Sequence, residues 1–526
     1  MGTGSLGTDD TNYRLQMTHA WLTHTAEVND QGLAAPGSRK NTQHGVQGVG
    51  GKRFIFYDPG QSILMIPGDW IGTELGKVLP LGDKKGLRVW SVNWLVFLPL
   101  NVALVLSAFW LLQLLGFEAR LAALTSMAWL LATSVLPYTE ITWQNHQVLL
   151  FAMLSNGLIL HSRREGQRAA LIGSGAAAAM ALLVRSSAFI HLFTAGLFLL
   201  VCLRIERIRF PEAARRVGFW LLGAVPIALA GRLFDYLRYG SFLTTGQTMW
   251  LKQLNTDPIF SGLPPMPPGY PFINPIHEGV LGVLFSPAKS LFIYDPLLLP
   301  CLIVGALAWK RLNPYVRWLS ILAVLNLALH IALTSKLDFW HGDWAWAARY
   351  HVSSVHLLML VLLPLFMRRA VAASGAAALA LSSLIAIGLL VQVLAVTMPI
   401  GVEVATENLQ EPVICNPDDW NSKLEFRLGR RVYDLICLET RLQHCPAQVA
   451  AEAATRHPEC HDVIEQFHRT NHLAFFPFDS DHRILGYRKE LALWLLLSTL
   501  AVAGTARWCA VLVRDLRGRP AGYGMV

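Results

Sequence analysis

The sequence predicts an all-α protein that crosses a membrane many times and carries amphipathic helices in its first outer loop. Hydrophobic residues make up 53% of the chain, charged residues only 15%, and the mean hydropathy is +0.40. A soluble domain carries about 25% charged residues. The 17 tryptophans agree with this class, because indole rings favour the headgroup region of a bilayer. The apolar residues also fall in runs long enough to cross a hydrocarbon core.

About eleven apolar runs approach the roughly 20 residues that a membrane-spanning helix needs. Their predicted bounds are 89–115, 120–137, 147–162, 169–185, 187–203, 217–234, 291–309, 313–334, 351–367, 371–398 and 490–513. The chain is thereby divided into a first extracytoplasmic loop (1–88), a transmembrane core (89–398), an extracytoplasmic segment (399–488) and a last span with a cytoplasmic tail (489–526).

The basic residues between these runs predict the orientation. With the spans above, five clusters fall on one side: Arg163, Arg164 and Arg168; Arg204, Arg207, Arg209, Arg215 and Arg216; Lys310 and Arg311; Arg368 and Arg369; Arg514, Arg517 and Arg519. Lys and Arg concentrate in cytoplasmic loops, so this side is predicted to be the cytoplasm. The other side holds residues 1–88, the loops 138–146, 235–290 and 335–350, and the segment 399–488. The net charge of +9 is thus assigned to topology and not to nucleic-acid binding.

An odd number of spans places the N-terminus outside, although residues 1–88 contain neither a signal peptide nor a span. We therefore expect the native chain to begin upstream and to carry one more helix, which gives about twelve spans. Sequencing the N-terminus of the native protein tests this expectation, and a chain that begins at Met1 contradicts it.

Cysteine usage agrees with the predicted sidedness. Four of the seven cysteines lie in the segment 399–488: Cys415, Cys437, Cys445 and Cys460. An even set in an oxidising compartment predicts two disulfides, whose pairing the sequence does not determine. The alternative is a metal site built on His457, Cys460 and His461, whose spacing matches no common zinc pattern.

Two amphipathic helices are predicted in the first outer loop. The first covers residues 8–22, begins with Asp9 and Asp10, and repeats bulky side chains at a spacing of four: Tyr13, Met17 and Trp21. The second covers 61–75 and has one apolar face: Ile63, Ile66, Trp70 and Ile71. Such helices lie in the membrane interface, where a carboxylate meets both lipid headgroups and water-soluble acceptors. The alternative interpretation is that Asp9 or Asp10 only caps the helix.

Five blocks of the sequence resemble the GT-C glycosyltransferases, in particular the bacterial relatives of dolichyl-phosphate-mannose protein mannosyltransferases and the lipid A aminoarabinose transferases. The blocks follow the order seen in that family: residues 9–22, FYDPGQSILMIP (56–67), DYLRYGSFLTTGQT (235–248), VLFSPAKSLFIYDPLL (283–298) and DFWHGDWAWAARYH (338–351). Each block alone is weakly specific, whereas the ordered set covers most of residues 1–370.

The resemblance implies a polyprenyl-phosphate sugar donor, transfer with inversion, and an active site at the outer face. In that family an acidic pair is followed by a tyrosine three or four residues later. Asp9, Asp10 and Tyr13 match this pattern. The first acid is the catalytic one, so Asp9 would accept the proton of the acceptor hydroxyl, with Asp10 beside it. Some relatives have Lys-Pro-Pro where this chain has Asp58-Pro59-Gly60, so another cation must meet the phosphate.

Three cations are candidates for that role. Arg185 lies between two apolar runs, where a charge is costly and suggests function. Lys289, in SPAKSLF, and Arg349, in WAWAARYH, each precede a span. The alternative is that the side chains of Arg185 and Lys289 snorkel to the interface. The aromatic and imidazole residues of the matching blocks are candidate sugar or acceptor contacts, or alternatively an interfacial belt: Tyr13, Tyr57, Trp340, His341, Trp344 and Tyr350.

Glu140 and His146 face the same compartment as the acidic pair by this topology. Relatives in the family often keep a second acid in this loop. Carboxylate and imidazole groups suit divalent cations, so a divalent cation is a candidate cofactor here. The alternative is a solvated loop, and His341 and Asp343 are alternatively turn residues beside Gly342.

These observations predict a GT-C-type glycosyltransferase in a bacterial cytoplasmic membrane. Its partners would be a polyprenyl-phosphate-linked sugar, membrane lipids, and a glycan, lipid or protein acceptor, with no nucleic acid. Two alternatives remain. A transporter or flippase of lipid-linked sugars would suit many spans with isolated charges, and a non-catalytic cell-envelope assembly subunit would use Asp9 only as a cap.

Overall fold

The computed structural model describes residues 6–28, 45–79, 84–165, 168–260, 266–342, 345–397, 423–432 and 487–517. Within these ranges the protein is mostly helical. The helices are α1 (Asp9–Thr23), α2 (Gly60–Val78), α3 (Lys84–Val92), α4 (Leu98–Leu114), α5 (Ala119–Leu131), α6 (Val135–Glu140), α7 (Gln144–Glu165), α8 (Arg168–Val184), α9 (Phe189–Ile205), α10 (Phe210–Tyr239), α11 (Gly246–Gln253), α12 (Ile276–Phe285), α13 (Leu291–Tyr294), α14 (Leu298–Ala308), α15 (Pro314–Ser335), α16 (Val352–Ala372), α17 (Gly375–Val396) and α18 (Tyr487–Arg517).

Short elements connect these helices. Single helical turns lie at Val49–Gly51, Asn93–Phe97, Ser186–Ala188, Pro258–Phe260, Trp309–Arg311 and Arg349–His351. The strands β1 (Val46–Gln47) and β2 (Arg53–Phe54) form an antiparallel hairpin in which Val46 lies opposite Phe54. The π-helical turn Asn93–Phe97 joins α3 to α4, so that both belong to one long helix.

Seven described helical segments are long and apolar enough to cross a membrane: Lys84–Leu114, Ser186–Ile205, Phe210–Tyr239, Pro314–Ser335, Arg349–Ala372, Gly375–Val396 and Ala492–Arg517. Shorter apolar helices lie at Ala119–Leu131, Arg168–Val184 and Ile276–Phe285. Every span predicted from the sequence overlaps a helix. The all-α membrane class is therefore confirmed, whereas the number of about eleven spans stays a prediction.

The loops that the sequence assigns to the basic side meet at one end of the helix bundle, which we call the inner end. Arg163 forms an ion pair with Glu206, and its guanidinium lies 3.4 Å from the ring centroid of Tyr315. The amide of Asn313 donates to the carbonyl oxygen of Leu115 at 2.7 Å. The grouping of these loops agrees with the predicted sidedness, and their cytoplasmic location remains a prediction.

Small residues bring α8 and α10 into close contact. A Cβ atom at Gly175 would overlap the carbonyl oxygen of Trp220, and one at Gly223 would overlap that of Ile172. Ser174 lies at the same crossing and accepts a hydrogen bond from the indole of Trp220 at 3.2 Å. Close approach at small residues drives helix association where lipid supplies no hydrophobic force.

The two helices of the first outer loop differ in what covers them. In α1, Met17 is fully buried and packs with Val28 and Ile55. The face predicted to enter the membrane interface therefore packs on the protein itself. In α2, Ile63 and Trp70 remain exposed, as expected of a helix whose apolar face meets lipid.

A buried polar cluster, which we call the Asp295 cluster, joins three helical elements near the other end of the bundle. The carboxylate of Asp295 accepts hydrogen bonds from the backbone N–H and the hydroxyl of Ser134, both at 2.7 Å. His356 Nε2 lies 3.1 Å from Asp295 Oδ1. All three side chains are buried, so the cluster fixes the start of α6, the end of α13 and the first turns of α16 against one another.

Candidate functional site

The acidic start of α1 lies in a network of aromatic and cationic side chains. The hydroxyl of Tyr57 donates to Asp10 Oδ1 at 2.6 Å. The ring of Tyr13 stacks on that of Tyr57 with centroids 6.3 Å apart. Burial raises the pKa of Tyr57 well above its ordinary value, and the charge of Asp10 acts in the same direction. Tyr57 therefore remains a proton donor to Asp10 at physiological pH.

The capping role considered for the two aspartates belongs to another residue. Thr8 is the N-cap of α1, because its side chain accepts from the backbone N–H of Thr11 at 3.2 Å. Asp9 is the first residue of α1, and its side chain lies outside the described part of the structure. The carboxylate of Asp10 instead accepts the hydrogen bond from Tyr57.

The loop 141–145 holds the start of α1 in place. The hydroxyl of Thr11 donates to the carbonyl oxygen of Thr142 at 3.0 Å, and the hydroxyl of Thr142 donates to the carbonyl oxygen of Leu6 at 2.5 Å. The amide of Gln61, in α2, donates to the same Thr142 carbonyl at 2.7 Å. The outer loops therefore form one connected layer, as their common side predicts.

Arg14 is a buried cation that the sequence did not single out. Only 4% of its surface is exposed, and its guanidinium lies 4.0 Å from the ring centroid of Tyr57. The Nε atom is buried and has no hydrogen-bond partner within the described ranges. The spacing of four between Asp10 and Arg14 places both on one face of α1, which is the only feature of the sequence that could have pointed to this residue.

Arg185 extends this cationic region from the turn between α8 and α9. Its Nη1 donates to Asn145 Oδ1 at 2.5 Å, and its guanidinium lies 5.0 Å from the ring centroid of Tyr350. Burial lowers the pKa of Arg185 to about 10; the charges of Arg349 and Arg14 act in the same direction, and Tyr350 opposes them. The three arginines are therefore close enough to repel one another.

Arg349 also lies close to the Tyr350 ring. Its guanidinium is 4.9 Å from that ring centroid and 5.3 Å from the ring centroid of Trp143, and its Nη2 donates to the Tyr350 hydroxyl at 3.0 Å. Asn145 donates to the backbone carbonyl of Arg349 at 2.8 Å. Asn145 thus contacts both arginines and was not recognised from the sequence.

A carboxylate borders the cations. Asp58 accepts a hydrogen bond from the backbone N–H of Ser186 at 2.8 Å, directly after Arg185. Burial raises the pKa of Asp58, whereas the contact with Ser186 and the charge of Arg14 act in the opposite direction. Asp58 therefore holds the turn that contains Arg185 in place.

Lys289 does not snorkel, which corrects one of the two interpretations drawn from the sequence. Its side chain is fully buried, and Nζ donates to the carbonyl oxygen of Ala345 at 2.6 Å. The adjacent His341 is also buried. Burial lowers the pKa of His341 to about 3, and the charges of Lys289, Lys423, Arg349 and Arg427 add to the effect. His341 is therefore neutral within a strongly cationic environment.

The segment 423–432 adds two arginines that the sequence analysis missed. Arg427 Nη1 donates to the carbonyl oxygen of Ala345 at 3.1 Å. The guanidinium of Arg431 lies 5.1 Å from a ring of Trp346. Both side chains are almost completely buried. Their spacing of four in RLGRR was the available pattern, but it does not predict burial.

An apolar groove of about 380 Å³ opens beside this region. Its lining residues are Trp21, Pro59, Ile63, Leu183, Ala230, Gly231 and Phe234. Leu183 lies two residues before Arg185, and Pro59 follows Asp58, so two lining residues are close in the chain to charged residues of the cluster. Exposed apolar side chains of α10, such as Leu229 and Leu233, flank it on the lipid-facing surface.

The remaining predicted residues contribute in different ways. Trp340 is buried, and its ring contacts that of His341 with centroids 5.7 Å apart. His146 is buried at the start of α7, so a solvated loop does not describe it. In the described part of the chain no group of three or more His, Cys, Asp or Glu residues could hold a metal ion. Trp344, Asp343, His457, His461 and the four outer cysteines lie outside the described residues.

No family model, curated protein or solved structure matches this chain. A carboxylate at the start of α1 and three arginines lie around Tyr57 and Tyr350, and the lining of the apolar groove includes Pro59 and Leu183, which are close in the chain to Asp58 and Arg185.

Proposed function

We propose that the protein is a glycosyltransferase that moves a sugar from a polyprenyl-phosphate donor to an acceptor hydroxyl at the outer face of a bacterial cytoplasmic membrane. One observation carries this proposal: Arg14, Arg185, Arg349 and the acidic start of α1 occur together with an apolar groove whose lining includes Pro59, next to Asp58, and Leu183, two residues before Arg185. A ligand that fits all three features has a long apolar tail, an anionic group and a reacting centre beside a carboxylate.

The cations support a phosphate ligand. Arg14, Arg185 and Arg349 surround the tyrosines 57 and 350, and guanidinium groups match phosphate oxygens in charge and geometry. An anion between these arginines would relieve the mutual repulsion of their charges. This arrangement also replaces the lysine that the chain lacks at Asp58.

The groove supports the polyprenyl tail. Its walls are apolar side chains of α1, α2, α8 and α10, and burial of an isoprenoid chain there is favourable by the hydrophobic effect. Two of its lining residues, Leu183 and Pro59, lie close in the chain to Arg185 and Asp58. A lipid phosphate would thus place its tail in the groove and its headgroup at the arginines.

The acidic pair supports proton removal from the acceptor. In the proposed step the acceptor oxygen forms a bond to the anomeric carbon while the bond from that carbon to the phosphate oxygen breaks. The proton of the hydroxyl passes to Asp9, and Asp10, fixed by Tyr57, stabilises the protonated form. Polyprenyl phosphate leaves with the bonding electrons, and the arginines stabilise its charge. The ordered resemblance to GT-C enzymes is consistent with this assignment.

The experiment uses purified protein in detergent and a panel of radiolabelled polyprenyl-phosphate sugars. Release of polyprenyl phosphate is followed for the parent protein, Asp9→Asn, Asp10→Asn and the control Asp515→Asn, whose ion pair with Arg120 lies at the inner end. We expect Asp9→Asn to lower the rate by about 10²–10⁴-fold, Asp10→Asn to lower it less, and the control to leave it unchanged.

The same assay can contradict the proposed function. If membrane extract supplies acceptors and no donor in the panel releases polyprenyl phosphate, the protein is not this transferase. Movement of a lipid-linked sugar across vesicles that persists in Asp9→Asn would then favour the transporter, and the absence of both would favour an assembly subunit.

A further inference from the structure

We propose that Arg427 is a positioning residue, through which the extracytoplasmic segment holds the loop 345–350 so that Arg349 faces the anion site. This inference rests on the proposed function for the identity of the anion. The geometry behind it involves three regions of the chain that are distant in sequence: the loop 138–146, the residues before α13, and the segment 423–432.

Two neighbouring carbonyl groups of the loop are held from three directions. The oxygen of Ala345 accepts from Lys289 Nζ at 2.6 Å and from Arg427 Nη1 at 3.1 Å. The oxygen of Trp346 accepts from the hydroxyl of Tyr138 at 2.6 Å. Hydrogen bonds from charged donors are stronger than neutral ones, and burial prevents water from replacing them.

The next residue shows why such fixation is required. Ala347 has φ 54°, a left-handed conformation that residues other than glycine rarely adopt. Such a conformation persists only where the surroundings impose it. Arg349 follows two residues later, so the direction of its side chain depends on this strained turn. Loss of one of these hydrogen bonds would let the backbone of Ala347 leave the left-handed conformation. This change would turn Arg349 away from Tyr350 and Trp143.

Arg427 is itself held by the docking of its segment. Arg431, one helical turn later, donates to the carbonyl oxygens of Leu394 at 3.1 Å and Ala395 at 3.0 Å. These carbonyls belong to the last turn of α17, where a cation is favoured by the helix dipole. The backbone carbonyl of Lys423 accepts a hydrogen bond from the hydroxyl of Ser286. The segment is therefore attached at both of its ends, with Arg427 between them.

The first measurement needs no ligand. Hydrogen exchange of the amides 345–351 is compared between the parent protein, Arg427→Gln and the control Arg430→Gln, whose side chain pairs with Glu425 on the same segment. We expect faster exchange in Arg427→Gln and no change in Arg430→Gln. Unchanged exchange in Arg427→Gln would overturn the proposal.

The second measurement asks whether Arg427 acts through Arg349. Binding of decaprenyl phosphate in detergent is measured for Arg427→Gln, Arg349→Gln and the double variant. We expect about tenfold weaker binding for Arg427→Gln, and no further loss when it is added to Arg349→Gln. Additive losses would overturn the positioning role, because they would mean that Arg427 acts independently.

A third variant separates positioning from general damage to the fold. Glycine adopts the left-handed conformation without strain, so Ala347→Gly should restore much of the binding lost in Arg427→Gln. A merely structural role of Arg427 would give no rescue and would count against the proposal. If the exchange and binding results hold while no sugar is transferred, the proposed reaction fails and the role of Arg427 at an anion site stands.

Discussion

The burial of charged side chains differs between the inner end of the helix bundle and the opposite end, which we call the outer end. At the inner end, ion pairs such as Arg120–Asp515 are partly open to solvent, with 39% and 34% of their side chains exposed. At the outer end, Arg14, Lys289, Arg427 and Asp295 are almost completely buried. Burying a charge is expensive unless it is paired, so the outer end retains groups that simple packing would have replaced. The difference is consistent with the proposal that charges at the outer end bind a ligand.

The largest expected effect is the loss of unfolding free energy when a charged side chain is removed at the outer end compared with the inner end. Removal of one partner from a buried charged cluster leaves the others without compensation, so Asp295→Ala should lower the free energy of unfolding by about 3–5 kcal/mol. The partly exposed pair at the inner end should contribute less, so Asp515→Ala should cost less than about 1 kcal/mol. Thermal unfolding in detergent measures both, and equal losses would erase the contrast between the two ends.

The next effect concerns close packing within the membrane-spanning part. Gly223→Val places side-chain atoms on the carbonyl of Ile172 and should destabilise the protein by about 1–3 kcal/mol. Gly218 lies on the same helix and has open space around it, so Gly218→Val is the matched control and should change stability by less than about 0.5 kcal/mol. Similar unfolding midpoints for the two variants would contradict the tight crossing of α8 and α10.

A third expectation sharpens the assignment of the outer charges to ligand binding. Arg14→Gln should weaken binding of decaprenyl phosphate by about 10–100-fold, because a charged hydrogen-bond donor contributes about 1.5–3 kcal/mol. The control is Arg88→Gln, since Arg88 lies 3.5 Å from Asp69 and outside the cluster. Equilibrium binding in detergent provides the measurement, and equal affinity of Arg14→Gln and the parent would remove Arg14 from the site.

The smallest effect concerns pH. Because the folded-state pKa of His341 is about 3, folding favours its neutral form, and the unfolded chain takes up a proton as the pH falls below about 6.5. Stability is therefore lost toward low pH, by about 1 kcal/mol between pH 6.5 and 5.5. His341→Gln should show a correspondingly smaller decline in its unfolding midpoint over this range. The same decline in parent and variant would show that His341 is not held neutral by its cationic surroundings.

The sequence predicted what depends on local composition. Apolar runs specify helices wherever lipid or the core surrounds them, and basic loops mark one side, so the helical class and the grouping of loops were accessible. The blocks that contain Asp10, Tyr13 and Tyr57 were predicted to share a compartment, but the contacts between these residues were not predicted.

The sequence could not predict which residues cover each apolar helix face or which groups contact each buried charge. The spacing of Tyr13, Met17 and Trp21 predicted an apolar face but not that Val28 and Ile55 would cover it. For Lys289 the sequence left open whether its side chain snorkels to the interface, and its burial and its contact with the Ala345 carbonyl show that it does not. Arg14 and Arg427 were missed because arginines in polar stretches are usually solvated, and their burial results from contacts between distant segments.

The lateral position of the groove has a consequence for the supply of ligand. Under the proposed function, a molecule whose tail occupies the groove between α1, α2, α8 and α10 would arrive by diffusion within the plane of the bilayer and not through water. Its occupancy then follows its mole fraction among the lipids rather than any aqueous concentration. Dilution of such a ligand with inert lipid would lower occupancy even at constant total amount, so membrane composition itself would set the working rate.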